Sequence, residues 1–358
     1  MGRRANNHFK LPLYSLRQAL HGQVGISLFY YLPLPSLSVG IFRALKTVGC
    51  WHTLWKLTED RILGRVRRKV SLPRGSELVA GIGDDCAVVR PRGAREDLLF
   101  TTDLLVENVH FTRTTHPPEV VGRKALARGL SDIAAMGGEP RFCLLSLVAP
   151  QWADQTWIRR FYEGLLAFSD RTHTPLAGGD LACGRNFACD IVVAGAVPRG
   201  QALLRSGAKP GDSIYVSGAL GGSALGLRTG KGPAWKRHLK PEPRLELGRY
   251  LRWRLRATAA MDLSDGLSLD LHRMCMASGV SASIGPPPVF PGAGLEDALH
   301  GGEDYELLFT ASSRVRVPAR YKGLPLTRIG SIHRGRAGDV FSSGRPLAVL
   351  GYDHFRRK

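Results

Sequence analysis

No pair of cysteines in this chain has metal-binding spacing. The six (Cys50, Cys86, Cys143, Cys183, Cys189 and Cys275) are scattered, and no CxxC occurs. That argues against a zinc ribbon and a disulfide framework, and reads as reduced thiols in a cytoplasmic protein. GxSxG and HExxH are also missing, which removes two hydrolase signatures. The nearest approach to a P-loop, Gly230-Lys231-Gly232, lacks the earlier glycine and the following Ser or Thr. Acids are absent from the first 58 residues, the first being Glu59. Seven bases there put +7 of the net +20 charge in this segment, leaving +13 for the rest. The remaining basic excess has no interleaved aromatic residues of the kind single-strand binders stack on bases, so no nucleic-acid partner is expected. The uncharged run from Val24 to Phe42 is interrupted by Pro33 and Pro35, so membrane association is not expected either. Residues 1–56 read as a basic, poorly ordered extension.

What is present is ordinary globular material. With 358 residues, 44% hydrophobic and 22% charged, the chain has room for about two domains with real cores. Thr58 followed by Glu59 and Asp60 predicts a helix start, with a cap and acids in the first turn. Strands are expected over 79–82, 86–90, 97–103, 142–148 and 191–197. Helices are expected from Pro117-Pro118 to about Met136 and over 154–172. The turn Pro198-Arg199-Gly200 is the expected boundary between a domain at 57–200 and one at 201–358. Beyond it come strands at 214–216 and 305–310, and helices near 222–227, 244–255 and 267–277. This alternation places the chain in a mixed α+β or α/β class.

The acids are few, but they recur beside glycine and hydroxyls: Gly83-Asp84-Asp85, Thr101-Thr102-Asp103, Ser131-Asp132, Gly178-Gly179-Asp180, Asp262-Leu263-Ser264-Asp265-Gly266 and Gly302-Glu303-Asp304. One Asp beside one Gly is ordinarily a turn or a cap. Six such groups, read as strand-end turns, suit magnesium, which takes oxygen ligands and completes its shell with substrate phosphates. Histidine and cysteine are absent from them, which argues against zinc or copper. Gly218-Ala219-Leu220-Gly221-Gly222, ahead of an expected helix, could offer backbone N–H groups to phosphate.

Longer stretches carry a resemblance. Gly81-Ile82-Gly83-Asp84-Asp85, Thr102 to Val106 with His110-Phe111, Lys124-Ala125-Leu126, Leu130 to Gly137, Gly178-Gly179-Asp180, Leu204 to Asp212, Asp262 to Leu267, Gly301 to Leu307 and Gly351 to Phe355 resemble the thiamine-monophosphate kinase family in unbroken order. The resemblance implies the two-domain fold of aminoimidazole ribonucleotide synthetase, with an N-terminal mixed sheet that pairs with its twin in a homodimer and a C-terminal α+β domain. It implies ATP and several Mg2+ ions in the cleft, and thiamine monophosphate as phosphoryl acceptor. Carried onto this chain, Asp84, Thr101, Thr102, Asp103, Asp132, Asp180, Asp262 and Asp265 would hold metal, with Asp103, Asp180 and Asp262 central to catalysis. Tyr162, Gly179, Asp180, Arg205 and Ser264 would meet ATP, and His110, Glu303 and Tyr352 the thiamine end.

Four positions depart from the family pattern. Leu181 and Ala182 stand where two threonines are usual, Thr101 where serine is frequent, and Asn108 where glycine is usual. The structural alternatives are that Asp85 and Asp304 cap turns, that His110 packs beside Phe111, and that Tyr352 is a core aromatic. Two other activities share the implied fold. Selenophosphate synthesis would want a reactive Cys near the start of the first domain, and hydrogenase maturation a C-terminal Cys, whereas no Cys follows Cys275.

Overall fold

A computed structural model describes residues 58–70 and 75–355. The Val24–Phe42 run and the extension as a whole lie outside the described residues. Helix α1 (Glu59–Lys69) begins where its residues dictate: Thr58 caps it by accepting the Arg61 N–H, with Glu59 and Asp60 in the first turn and Arg67, Arg68 and Lys69 in the last.

The strands sort into two sheets. The first contains β1 (Leu78–Ala80), β2 (Ala87–Val89), β3 (Glu96–Val106), β4 (Glu139–Ala149), β5 (Leu176–Cys183) and β6 (Ala188–Pro198), in the order β1-β2-β3-β6-β4-β5. Only β4 and β5 run parallel. Helix α2 (Pro118–Ala135) packs on β3 and β6, and α3 (Gln155–Thr172) packs on α2. Strand alternation turns Leu99, Thr101, Leu105, Leu145, Ile191 and Val193 toward this helical layer, all of them buried. The opposite face, carrying Phe100, Thr102, Leu104, Leu144 and Ser146, is half-buried or exposed.

The second sheet contains β7 (Asp212–Ser217), β8 (Ala259–Asp262), β9 (Ser281–Ile284), β10 (Leu307–Ser312), β11 (Arg320–Tyr321), β12 (Leu324–His333), β13 (Val340–Ser342) and β14 (Arg345–Pro346). Its order is β14-β13-β9-β12-β7-β10-β8, with β11 on β12. Helices α4 (Gly222–Thr229), α5 (Gly232–Leu239), α6 (Leu245–Tyr250), α7 (Leu267–Ser278) and α8 (Leu295–His300) accompany it. One apolar cluster joins Ala134 and Ala135 of α2 to Leu247, Leu251, Ala260 and Phe309. Helix α2 therefore serves both sheets.

Several expectations need correction. Gly178-Gly179-Asp180 is not a turn but the middle of β5, paired with Leu144, Leu145 and Ser146. A Cβ on Gly179 would stand 1.8 Å from the Leu145 carbonyl oxygen, so glycine is there for strand contact. Asp132 lies within α2, and Thr101 to Asp103 lie within β3. The helix expected to Leu255 is α6 followed by a π turn over Leu251–Leu255, ended by Arg256 in a left-handed conformation. Helices α5 and α8 and strands β8, β9 and β11 to β14 are not among the expected elements.

Candidate active site

Asp85 follows the Gly81-Ile82-Gly83 turn, Asp132 projects from α2 and Asp262 ends β8. Each offers an oxygen, and the three oxygens lie within 4.8 Å of one another. The Thr101 hydroxyl donates to Asp132 at 2.5 Å and the Ser131 hydroxyl to Asp262 at 2.7 Å. Arg205, in a short turn ahead of β7, donates through Nε to Asp85 Oδ1 at 3.1 Å and through Nη2 to the same oxygen. The other oxygen, Asp85 Oδ2, is buried without a hydrogen-bond partner. Burial and then the charge of Asp85 push the Asp262 carboxyl up to about 7. Burial and then Asp262 push Asp132 well above the usual range. An all-oxygen set with an orphaned oxygen and mutually repelling members fits a hard divalent cation.

The structure distributes the expected metal residues unevenly. Asp132 and Asp262 belong to this group, and Thr101 touches it. Asp103 is on the same face of β3 but is paired with Arg128 at 2.6 Å. Asp84 accepts the backbone N–H of Arg205 at 3.1 Å, and burial followed by the neighbouring Asp85 raises its carboxyl to about 7. Asp265 is paired with Arg273. Thr102 faces the other way, its hydroxyl donating to Asp190 at 2.6 Å. Asp180 is exposed in register with Ser146, which is itself opposite Asp190, so it shares that second face.

Among the residues expected to meet ATP, Arg205 is engaged with Asp85, and the Ser264 carbonyl accepts the Glu303 N–H at 2.7 Å. Tyr162 sits on α3 against the first core, edge-on to Phe161 at 5.5 Å. The glycine turn before α4 is already occupied: the Gly221 and Ser223 N–H groups donate to Asp304 at 2.6 and 3.1 Å. Asp304 is thus a cap, as the structural alternative held, while Asp85 is not.

The residues expected at the thiamine end come together. The Val106 N–H donates to His110 Nδ1 at 3.0 Å, which leaves the proton of the neutral ring on Nε2. Burial, then Arg128, lower His110 to about 3. The His354 ring lies edge-on to His110 at 5.1 Å and to Tyr352 at 4.8 Å. Tyr352 is exposed, so it is not a core aromatic. Glu303, at φ 64°, pairs with the fully buried Lys124 at 3.0 Å. Burial would raise the Glu303 carboxyl, but Lys124, His238 and Arg128 outweigh it and bring it to about 2. Asn108 has φ 64°, which accounts for the family glycine there, since Asn is the residue that best tolerates that conformation after Gly.

Asp85, Lys124, Arg128 and His354, which lie among these groups, are not among the expected site residues. A signal did exist for two of them. Lys124, Arg128 and Asp132 follow at i, i+4 and i+8, a charged stripe along one side of the helix.

Two mixed sheets sharing one helix, with Asp85, Asp132 and Asp262 brought together from both halves of the chain and Asp85 held by Arg205, place the chain in a class related to AIR synthase. Residues 83–197 match the family AIR synthase related protein, N-terminal domain. The thiamine-monophosphate kinase of Salmonella typhimurium is 38% identical over 308 residues, covering 78% of this chain and 93% of that protein. The structure of AaThiL complexed with AMPPCP and TMP superposes with TM-score 0.73 at 31% identity, covering 83% of this chain and 97% of that one. The chain belongs to the thiamine-monophosphate kinase family and is a kinase. Hydrogenase maturation protein HypE in complex with ATP, at 17% identity and TM-score 0.58 over 76% of this chain and 89% of that one, shares the fold alone.

Proposed function

We propose that this chain transfers the terminal phosphoryl group of ATP to thiamine monophosphate, giving ADP and thiamine diphosphate, as a cytoplasmic homodimer. The observation that carries the reading is the carboxylate group Asp85, Asp132 and Asp262, supplied by a loop, a helix and a strand end of a chain 38% identical to a thiamine-monophosphate kinase. The donor set fits magnesium, held by these three with Asp84, Thr101 and Asp103 beside them. Magnesium bound there would neutralise charge between two polyanions. The chain's own side chains do the rest. Arg205 fixes Asp85, the Thr101 and Ser131 hydroxyls orient the other two carboxylates, and His110, Glu303 and Tyr352 take the thiamine moiety. No general base is required, because a phosphate monoester with a second pKa of about 6 is mostly dianionic at neutral pH and its attacking oxygen carries no proton.

The outward face of the first sheet supports the homodimer. Phe100, Leu104 and Leu144 line it, and Leu104 is 54% exposed, as expected of a sheet that pairs with its twin. The division into a domain at 57–200 and one at 201–358 follows the change from the first sheet, which ends at Pro198, to the second, which begins at Asp212.

The test is ADP release with Mg2+ and ATP, comparing thiamine monophosphate with free thiamine. Thiamine monophosphate yields one ADP per thiamine diphosphate, thiamine is a poor acceptor, and no labelled phosphate stays on the protein. Thiamine accepted as readily as its monophosphate defeats the reading, as does a phosphorylated protein after incubation with ATP alone.

A further inference from the structure

A lysine with no solvent exposure needs a reason. Lys124 lies on α2 with its side chain 0% exposed, where burying an ammonium is costly unless it is paired. Its Nζ lies 3.0 Å from Glu303 Oε1, 3.1 Å from Glu303 Oε2 and 3.5 Å from the His110 carbonyl oxygen. One ammonium therefore ties the loop after β3 to the loop before β10, at the two residues assigned to the thiamine end. His238 Nδ1, 2.9 Å from the Ser223 hydroxyl, stands 3.3 Å from Glu303 Oε2 on the other side. Glu303 Oε1, His110 Nε2 and His238 Nε2 are buried without a hydrogen-bond partner, though Oε1 keeps its ion pair with Lys124. The first is an acceptor and the second a donor. Glu303 also holds a left-handed backbone conformation, which a non-glycine residue adopts only when its surroundings impose it.

We propose that Lys124 is the positioning residue of the acceptor pocket: from behind, it aligns the Glu303 carboxylate and the His110 loop so that Oε1 and Nε2–H face the heterocyclic end of the acceptor. This goes beyond the reading above and rests on it. Lys124 touches no substrate; it acts through Glu303. Its loss is therefore felt in acceptor binding, not in ATP binding, and only while Glu303 carries its charge.

The experiment is a double-mutant cycle on the full chain with Lys124→Met, Glu303→Gln and the pair, reading KM for each substrate and the thermal midpoint. Lys124→Met raises KM for thiamine monophosphate about tenfold or more and leaves KM for ATP within about twofold. Glu303→Gln raises the same KM, and adding Lys124→Met to it changes little further, because the neutral amide no longer needs the ammonium. If Lys124→Met alone does not fold, the pair against Glu303→Gln decides, since that pair buries no unmatched charge. Multiplying effects in the cycle, or an equal rise in KM for ATP, overturn the proposal. An unsubstituted chain that releases no ADP with thiamine monophosphate overturns the acceptor reading itself and the proposal with it, and is seen before any variant is measured.

Discussion

Ser131 donates its hydroxyl to Asp262 at 2.7 Å, and that bond joins the helix beneath the first sheet to the edge strand of the second. The next residue on the helix, Asp132, brings its own carboxylate into the same group. Two consecutive side chains of α2 thus do opposite things. One stabilises the charge on Asp262 and the other repels it. The fold holds these acids together at an energetic cost that a bound cation would remove, which is how a site can be organised before its ligand arrives.

Asp132→Asn tests that tension directly. The amide keeps its shape and can still accept the Thr101 hydroxyl, but it cannot ionise against Asp262 and Asp85. Without metal, the melting temperature rises by a few degrees, corresponding to about 1 kcal/mol. Turnover falls by orders of magnitude, and the rise in melting temperature on adding Mg2+ shrinks. Thermal melts with Mg2+ and with chelator, alongside ADP release, check this. A variant that melts below the parent without metal, or turns over normally, contradicts the assignment.

Much of the first sheet could be read from sequence, because its residues obey local rules: Thr58 with two acids starts α1, Pro118 starts α2, and short apolar runs mark β3 and β6. Gly178-Gly179 misled because glycine signals a turn, whereas here it permits contact with Leu145 across a parallel pair. The short strands β11, β13 and β14 hold two or three residues each, too few for any period to register. At the site, Asp132, Asp262 and Glu303 were legible from motif. Asp85 was not, since in Asp84-Asp85 only the fold decides which carboxylate turns to backbone N–H groups and which to the cluster. Lys124 was hidden for a similar reason, its partner being 179 residues away.

The open sheet face gives a second prediction. Leu104→Arg places a cation in the middle of the surface proposed to meet its twin. Leu104 is half exposed in the single chain, so the monomer keeps its fold while the dimer dissociates. Light scattering at micromolar concentration should show half the mass, with an unchanged circular-dichroism spectrum. A variant that stays dimeric places the interface elsewhere.

The extension gives a third. The match to the Salmonella enzyme takes in 93% of that protein but 78% of this chain, and the described fold starts at Thr58 with its helix cap. A chain beginning at Leu57 is expected to keep both its thermal midpoint and its ATP-dependent activity. Insolubility or loss of turnover would show that the first 56 residues are needed.

The fourth concerns pH, where two sets of groups pull in opposite directions. Burial, ahead of nearby cations, lowers His110 to about 3 and His116 and His238 to about 4. Unfolded, each titrates near 6.5, so between about pH 6.5 and 4 the unfolded chain holds more protons and stability falls as pH falls. Asp84 and Asp262 do the reverse. Their folded values of about 7 exceed the unfolded value near 3.8, so over about pH 7 to 4 the folded chain holds more protons and acid stabilises it. Without metal the two contributions partly cancel. Magnesium would keep the carboxylates ionised and remove the opposing one, so acid destabilises the magnesium-loaded protein more steeply. Urea unfolding at pH 7, 6 and 5, with Mg2+ and with chelator, measures this. The expected result is a clear fall in stability with Mg2+ and a shallower one without it. His116→Asn should flatten both curves by removing one titrating group. Identical pH dependence in the two conditions would mean that the carboxylates are not where the cation binds.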